Sequence, residues 1–526
     1  MSQSTESTRA NLARAGGIMV LSLFMSRVLG MVRAMVINWQ FGQNELTDAY
    51  RLSFMIPDLL FFLVAGGALS SAFIPVFSEY YHTDRKSEAW HVFSAVATIM
   101  SAAVLGFIGL AWVFAPQLTA IIAAKNDPAL YPLITQMSRI VLPAQFAFFI
   151  GGLMMGTLYA RQVFSVPGLA PNIYNIGIIL GAVILPYFIV PGVVGMSWGA
   201  LVGATCGSFI LPLLAMRKFG MEFKITFDTK HPGVRKVFRL MAPVVFGLSL
   251  STVFPMIMQY FAGSYGKSMN TAYDTANQLM QAPLGIFSQS LALAVFPALS
   301  QYVAEDHMNL YREQLMSTLR QVLYLTTPVA VIMFAVPDHL VRALFQHGKF
   351  TAVDTQRTAA CLAMFAIGIV AWSLQPVLMR GYFAIHKSVT PVVIGTITTV
   401  FFFSACALIT QAGAGYRALP LAGSLSAFLL VGALLVTLAK TVGGLDLAGL
   451  GVTLAKALAA SSVCGLLLAG LMMGLGEISF GGRFGHIGLL FVAMCGFGWL
   501  YYYITRSLAM PECAYVERAL KRIQRS

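Results

Sequence analysis

Apolar runs long enough to cross a bilayer recur fourteen times along this chain, at about 16–37, 52–77, 90–114, 133–159, 169–190, 193–215, 237–262, 272–298, 316–336, 357–384, 389–410, 418–439, 451–475 and 485–505. A hydrocarbon core about 30 Å thick needs roughly 20 such residues in a helix. Within it, every backbone N–H and C=O must find a partner inside the protein, which helices provide locally. The expected fold is therefore an all-α polytopic membrane protein with 14 transmembrane helices. Charged residues make up only 10% of the 526, against about 25% in an average soluble protein, so a water-facing surface of this size is excluded. Arg9 and Arg14 precede the first run as in a signal peptide. No small-residue cleavage site follows, and the run is read as a retained span.

The net charge of +14 would point to nucleic acid in a soluble domain. In a polytopic chain it follows from Lys and Arg held in cytoplasmic loops. With the N-terminus inside, twenty-three basic residues fall on the cytoplasmic side and seven outside, leaving Arg27, Arg33, Arg51 and Arg139 in or near the membrane. That bias predicts an N-in, C-in topology and no nucleic-acid partner. The six cysteines are scattered singly without metal-ligand spacing, so neither a metal site nor a disulfide framework is expected.

The chain also repeats itself. AFIPVFSEY (Ala72 to Tyr80) aligns with AVFPALSQY (Ala294 to Tyr302), TDAY (Thr47 to Tyr50) with NTAY (Asn270 to Tyr273), and YARQVFSVP (Tyr159 to Pro167) with FAIHKSVTP (Phe383 to Pro391), all at offsets of 222 to 224. The expected organisation is an N-terminal lobe of six spans (1–219), a C-terminal lobe of six (220–442), two extra spans (443–506) and a basic cytoplasmic tail (507–526). Six spans per lobe make the repeat parallel, and the substrate path of such transporters lies between lobes near the midplane.

Charges inside spans are costly and mark functional sites by default. The stretch from Ser26 to Tyr80 holds Arg27, Arg33, Asp48, Arg51 and Asp58. Arg27 and Arg33 are six residues apart, about 120° around an ideal helix, and share a face only if Gly30 lets the helix bend. Guanidinium groups remain protonated and grip phosphate with two parallel bonds. Snorkelling to headgroups, or pairing with Asp48 or Asp58, is the bland alternative. Gly30, Pro57, Gly66 and Gly67, with Pro283 and Gly285 in the second lobe, are candidate gate or hinge positions; close helix packing would use the same residues. Asn277, Gln278 and Gln281 offer neutral amides at the matching place, suited to sugar hydroxyls or to interhelical bonding. No histidine, acid or glycine pattern forms a catalytic constellation, so an enzyme is not expected.

The motifs SRVLGMVR, TDAY, IPDLLFFLVAGGALSSAFIPVFSEY, QLMQAPLGIFSQSLALAVFPALSQY, LFQHGKFT and YFAIHKSVTP resemble those of the MurJ lipid II flippases, within the multidrug/oligosaccharidyl-lipid/polysaccharide exporter superfamily. The resemblance implies a V-shaped pair of six-helix lobes in a bacterial inner membrane. It implies export of undecaprenyl-pyrophosphate-linked peptidoglycan precursor by alternating access, with cell-wall synthesis proteins as further partners. It also implies a groove for the lipid tail on the last two spans. Arg27 and Arg33 stand where the family has cavity arginines, and Asp48 where it has an acid. Departures lie at Phe61 or Phe62, where the family often carries Arg, at Gly66 for an acid, at Ala34 for Asp, and at Gln278 for Arg. A flippase for another polyprenyl-linked saccharide, a cation-coupled multidrug exporter and a membrane scaffold are the competing readings. No cofactor is expected; coupling to Na⁺, H⁺ or the membrane potential, at about 2.3 kcal/mol per charge per 100 mV, stays open.

Overall fold

The structure, a computed structural model, describes residues 2–64, 68–83, 85–161, 163, 165–475, 482–515 and 517. Among the described residues, the regular elements are all helical. Contacts divide the chain into two compact units, Met1–Thr271 and Ala272–Ser526.

The first unit contains α1 (Ser2–Phe41), α2 (Glu45–Ser53), α3 (Met55–Val64), α4 (Ala68–His82), α5 (Lys86–Val113), α6 (Ala115–Ile122), α7 (Tyr131–Val141), α8 (Ala144–Ala160), α9 (Ser165–Val183), α10 (Val193–Ala204), α11 (Leu211–Lys218) and α12 (Pro232–Ala262). The expected fourth span is broken into α7 and α8 at Leu142 and Pro143, where proline withholds a backbone donor from the helical ladder. One buried cluster fills the space among α4, α5 and α8 around Phe73, Phe77, Phe93 and Leu153, and a second joins α2, α7 and α10 around Tyr50, Met137 and Met196.

α9 and α10 approach so closely that only glycine fits between them. A Cβ added to Gly181 would lie 2.5 Å from the Gly195 carbonyl oxygen, and one added to Gly199 2.4 Å from that of Gly177. Gly199→Val should therefore force the pair apart, at a cost of about 1–3 kcal/mol for overpacking. Thermal unfolding in detergent checks this, and an unchanged midpoint would contradict the close approach.

The second unit follows with the continuation of α13 (Met269–Pro283), then α14 (Gln289–Ala304), α15 (Met308–Ala335), α16 (Pro337–Phe345), α17 (Ala352–Ala384), α18 (Val389–Gln411), α19 (Ala418–Thr441), α20 (Leu447–Leu475) and α21 (Gly482–Ser507). α17 packs against α15 and α19, while α15 also packs against α20. A π-helical turn, Leu284–Ser288, separates α13 from α14 immediately after Pro283 and includes Gly285. Such turns accommodate a ladder that proline has interrupted.

Among the described residues, eleven helical stretches are long and apolar enough to cross a membrane. The three other expected spans, at 16–37, 52–77 and 237–262, fall where side chains are only partly described. Gly66 and Gly67 lie outside the described residues.

Candidate functional site

The best-defined polar constellation begins at the turn between α1 and α2. Asn44 caps α2, its side-chain oxygen accepting from the N–H groups of Leu46 and Thr47, both at 3.0 Å. The Asn44 N–H donates to Thr47 Oγ1 at 2.9 Å, completing a capping box. This fixes the register that turns Asp48 inward, where it is only 3% exposed.

Asp48 in turn caps the start of α13. Its carboxylate accepts from the N–H of Ser268 at 2.7 Å, the N–H of Thr271 at 2.8 Å and the hydroxyl of Thr271 at 2.7 Å. A carboxylate at a helix N-terminus satisfies donors that the helix cannot and complements the positive end of its dipole. Burial nevertheless raises its pKa to about 6, with the bonds from Thr271 and Ser268 opposing that rise. Ser268 holds φ at 73° and its hydroxyl donates to the Gln43 carbonyl at 3.0 Å. Beside it, the Asn270 amide donates to the Gln259 backbone oxygen at 2.7 Å and accepts from Asn126 at 3.2 Å. TDAY and NTAY, matched in the sequence repeat, thus meet through Asp48, Thr47 and Thr271, whose hydroxyls lie 3.1 Å apart.

The arginines are distributed over two helices. α1 runs unbroken through Gly30, and a Cβ there would meet nothing. Arg27 and Arg33 therefore keep their angular separation, Arg27 exposed and Arg33 half-buried. α1 is held to α9 by the Asn172 and Asn175 amides, which donate to the carbonyls of Ser22 and Ser26, each at 3.3 Å. That seam places Tyr174 of α9 within electrostatic reach of Arg33, Asp58 and Tyr50. Arg51 lies with its guanidinium carbon 5.7 Å from the centre of the Tyr50 ring. Asp58 is exposed at the start of α3, with Pro57 buried beside it.

An aromatic wall adjoins this group. Phe61 meets Phe148 edge-on at 6.4 Å, and Phe148 meets Tyr174 edge-on at 5.2 Å. Tyr174 and Phe148 were not singled out in the sequence, since a ring in an apolar run reads as ordinary packing.

In the second unit, the Gln278 amide is engaged by Asp274 at 2.6 Å, one turn earlier on α13. Asn277 is half-buried and Gln281 exposed. Among the described residues, no group of three or more His, Cys, Asp or Glu could hold a metal ion.

The helices define a multi-span membrane protein. A solved lipid II flippase MurJ in an inward closed conformation superposes with a TM-score of 0.76 at 21% identity, covering 94% of this chain and 99% of that one. An inward-facing MATE-family multidrug resistance transporter of the MOP superfamily gives 0.67 at 14% identity, over 81% of this chain and 98% of its own. Residues 37–484 match the family described as lipid II flippase MurJ. The lipid II flippase MurJ of Burkholderia cenocepacia is 30% identical over 394 residues, 73% of this chain and 75% of that protein. A probable lipid II flippase MurJ from Vibrio cholerae is 28% identical over 433 residues, 80% and 81% respectively. The chain belongs to the MurJ family.

Proposed function

We propose that this protein flips lipid II, the polyprenyl-pyrophosphate-linked peptidoglycan precursor, across a bacterial inner membrane. The observation that carries the reading is the family match across residues 37–484. In this reading the chain has fourteen spans in two six-helix lobes (1–219 and 220–442), two further spans, and both termini in the cytoplasm. The uneven distribution of Lys and Arg supports that topology.

A pyrophosphate cannot enter hydrocarbon without a large desolvation cost. Arg33, with Arg27 and Arg51, would hold the headgroup in a wet cavity while the polyprenyl chain stays among lipid tails. Asn277, Gln278 and Gln281 would meet the sugar and peptide groups, and Pro57, Pro283 and Gly285 would flex. The contact of Asp48 with the start of α13 would form and break during the cycle. An inward-negative potential would favour outward movement of the anion.

A second reading, a flippase for another polyprenyl-linked saccharide, draws on the aromatic wall at Phe61, Phe148 and Tyr174. Sugar faces stack on such rings, and Phe61 or Phe62 stands where the family often has a cation. Expression in a strain depleted of its own lipid II flippase separates the two. Restored growth and lipid II export are expected; failure despite normal membrane levels would favour the second reading.

A further inference from the structure

The segment joining α11 to α12, residues 219–231, runs extended along the first turns of α5 and has the physical character of a lipid-facing element. Its beginning is tied down by Arg161, which donates to the Phe219 carbonyl at 2.6 Å and lies 4.8 Å from the centre of that ring. Its end is tied by Asp228, whose carboxylate lies 3.0 Å from His91 Nε2. Between these points the segment reaches further along α5. The Lys224 N–H donates to Ser94 Oγ at 3.2 Å and the Thr226 N–H to Thr98 Oγ1 at 3.4 Å. Thr98 is about 10 Å beyond His91 along the helix axis, at 1.5 Å per residue. The segment therefore runs along α5 from its Lys86 end toward its middle and returns.

Three observations bear on what surrounds it. First, two hydroxyls one helical turn apart on α5 supply acceptors to this backbone, which is the kind of partner non-helical backbone requires away from water. Second, residues Val92–Thr98 of α5 are all buried, whereas Ala102, Ala103, Leu105 and Phe107 are exposed. The apolar outer surface of α5 thus ceases as a direct face where the segment begins to cover it. Third, Ile225 is 78% exposed and Phe227 64%, so the covering segment renews that apolar surface. Lys224 and Lys230, both exposed, stand among them beside exposed Glu222; with Arg217 and Lys218 just upstream, the four cations outnumber the two acids, Glu222 and Asp228.

We propose that residues 219–231 form a membrane-inserted anchor. Ile225 and Phe227 enter the headgroup–acyl boundary of the leaflet at the Lys86 end of α5, and the neighbouring lysines engage anionic lipid phosphates. Apolar insertion combined with basic side chains is the usual basis of interfacial attachment. The inference concerns this segment alone and holds whatever headgroup the protein carries.

The test uses the full chain with Cys206→Ser and Cys495→Ser, which remove the two exposed free cysteines. A nitroxide is attached at Ile225→Cys or, as a comparison, at Lys230→Cys, in phosphatidylcholine vesicles with and without phosphatidylglycerol. At 225, oxygen should relax the nitroxide several-fold more strongly than a water-soluble nickel chelate, with the order reversed at 230. In phosphatidylglycerol vesicles, Lys224→Gln with Lys230→Gln should raise nickel access at 225. Nickel access at 225 equal to that at 230 would place the segment in water and overturn the proposal. Protection from both reagents would mean a protein surface covers it, which also overturns it. Insensitivity to phosphatidylglycerol and to the lysine substitutions would remove the anionic-lipid part.

Discussion

Arg33→Ala should lower lipid II translocation by about one to two orders of magnitude while leaving the protein folded in the membrane. Hydrogen bonds to charged groups contribute about 1.5–3 kcal/mol each, and each 1.4 kcal/mol is roughly a factor of ten. Arg33 is half-buried and interacts electrostatically with Tyr174, so its charge acts partly among protein groups rather than wholly in open water. Arg33→Lys keeps the charge but loses the planar fork that grips a phosphate with two bonds; an intermediate loss is expected. Arg27→Ala should also reduce transport, by less, because Arg27 is exposed. Translocation measured in proteoliposomes, beside thermal midpoints in detergent, distinguishes a transport defect from unfolding. Wild-type rates in both alanine variants would remove the arginines from the substrate path.

The fold was legible because a bilayer leaves few choices. A run of apolar residues must become a helix to satisfy its own backbone, so hydropathy alone locates the helices and Pro143 locates a break. The site was legible in its charges but not in its partners. Asp48 stands out as an acid in a polar turn, yet two of its three donors are the backbone N–H groups of Ser268 and Thr271, and a backbone amide has no signature in a sequence. The one available pointer was the match of TDAY to NTAY, which put Thr271 in register with Asp48 without indicating that they touch. Gly30 illustrates the opposite case. Arg27 and Arg33 could share a face only if Gly30 bent or unwound the helix, and α1 is helical on both sides of it; glycine permits a bend without requiring one. The segment 219–231 carries Glu222 and Asp228 beside Lys224 and Lys230, so its charge gives no sign of what it faces. The alternation of Phe223, Ile225 and Phe227 with polar residues acquires meaning only once α5 is seen beneath it.

Asp48→Asn should flatten the pH dependence of stability, and Asp48→Ala should destabilise the turn that holds α13. The carboxyl has a folded-state pKa of about 6 against an ordinary 3.8, chiefly because it is buried. A raised acid pKa means that the folded state binds the proton more tightly than the unfolded state does. Its contribution to stability is therefore fully present below about pH 4 and is lost as pH rises through about 6. At about 1.4 kcal/mol per unit, the shift corresponds to roughly 3 kcal/mol across that window. Asn cannot titrate, so thermal midpoints in detergent should fall between pH 4 and pH 7 for the natural chain and change little for Asp48→Asn. Equal slopes would mean that Asp48 is not the titrating group. Alanine acts differently, because it leaves the Ser268 and Thr271 donors without their acceptor; each buried donor so abandoned costs about 1–3 kcal/mol. The midpoint of Asp48→Ala should consequently lie well below that of the natural chain at pH 7, where the charged carboxylate still receives all three bonds. If this contact also forms and breaks during transport, the same variant should alter the flipping rate at a pH where it remains folded, and an unchanged rate would make the contact purely structural.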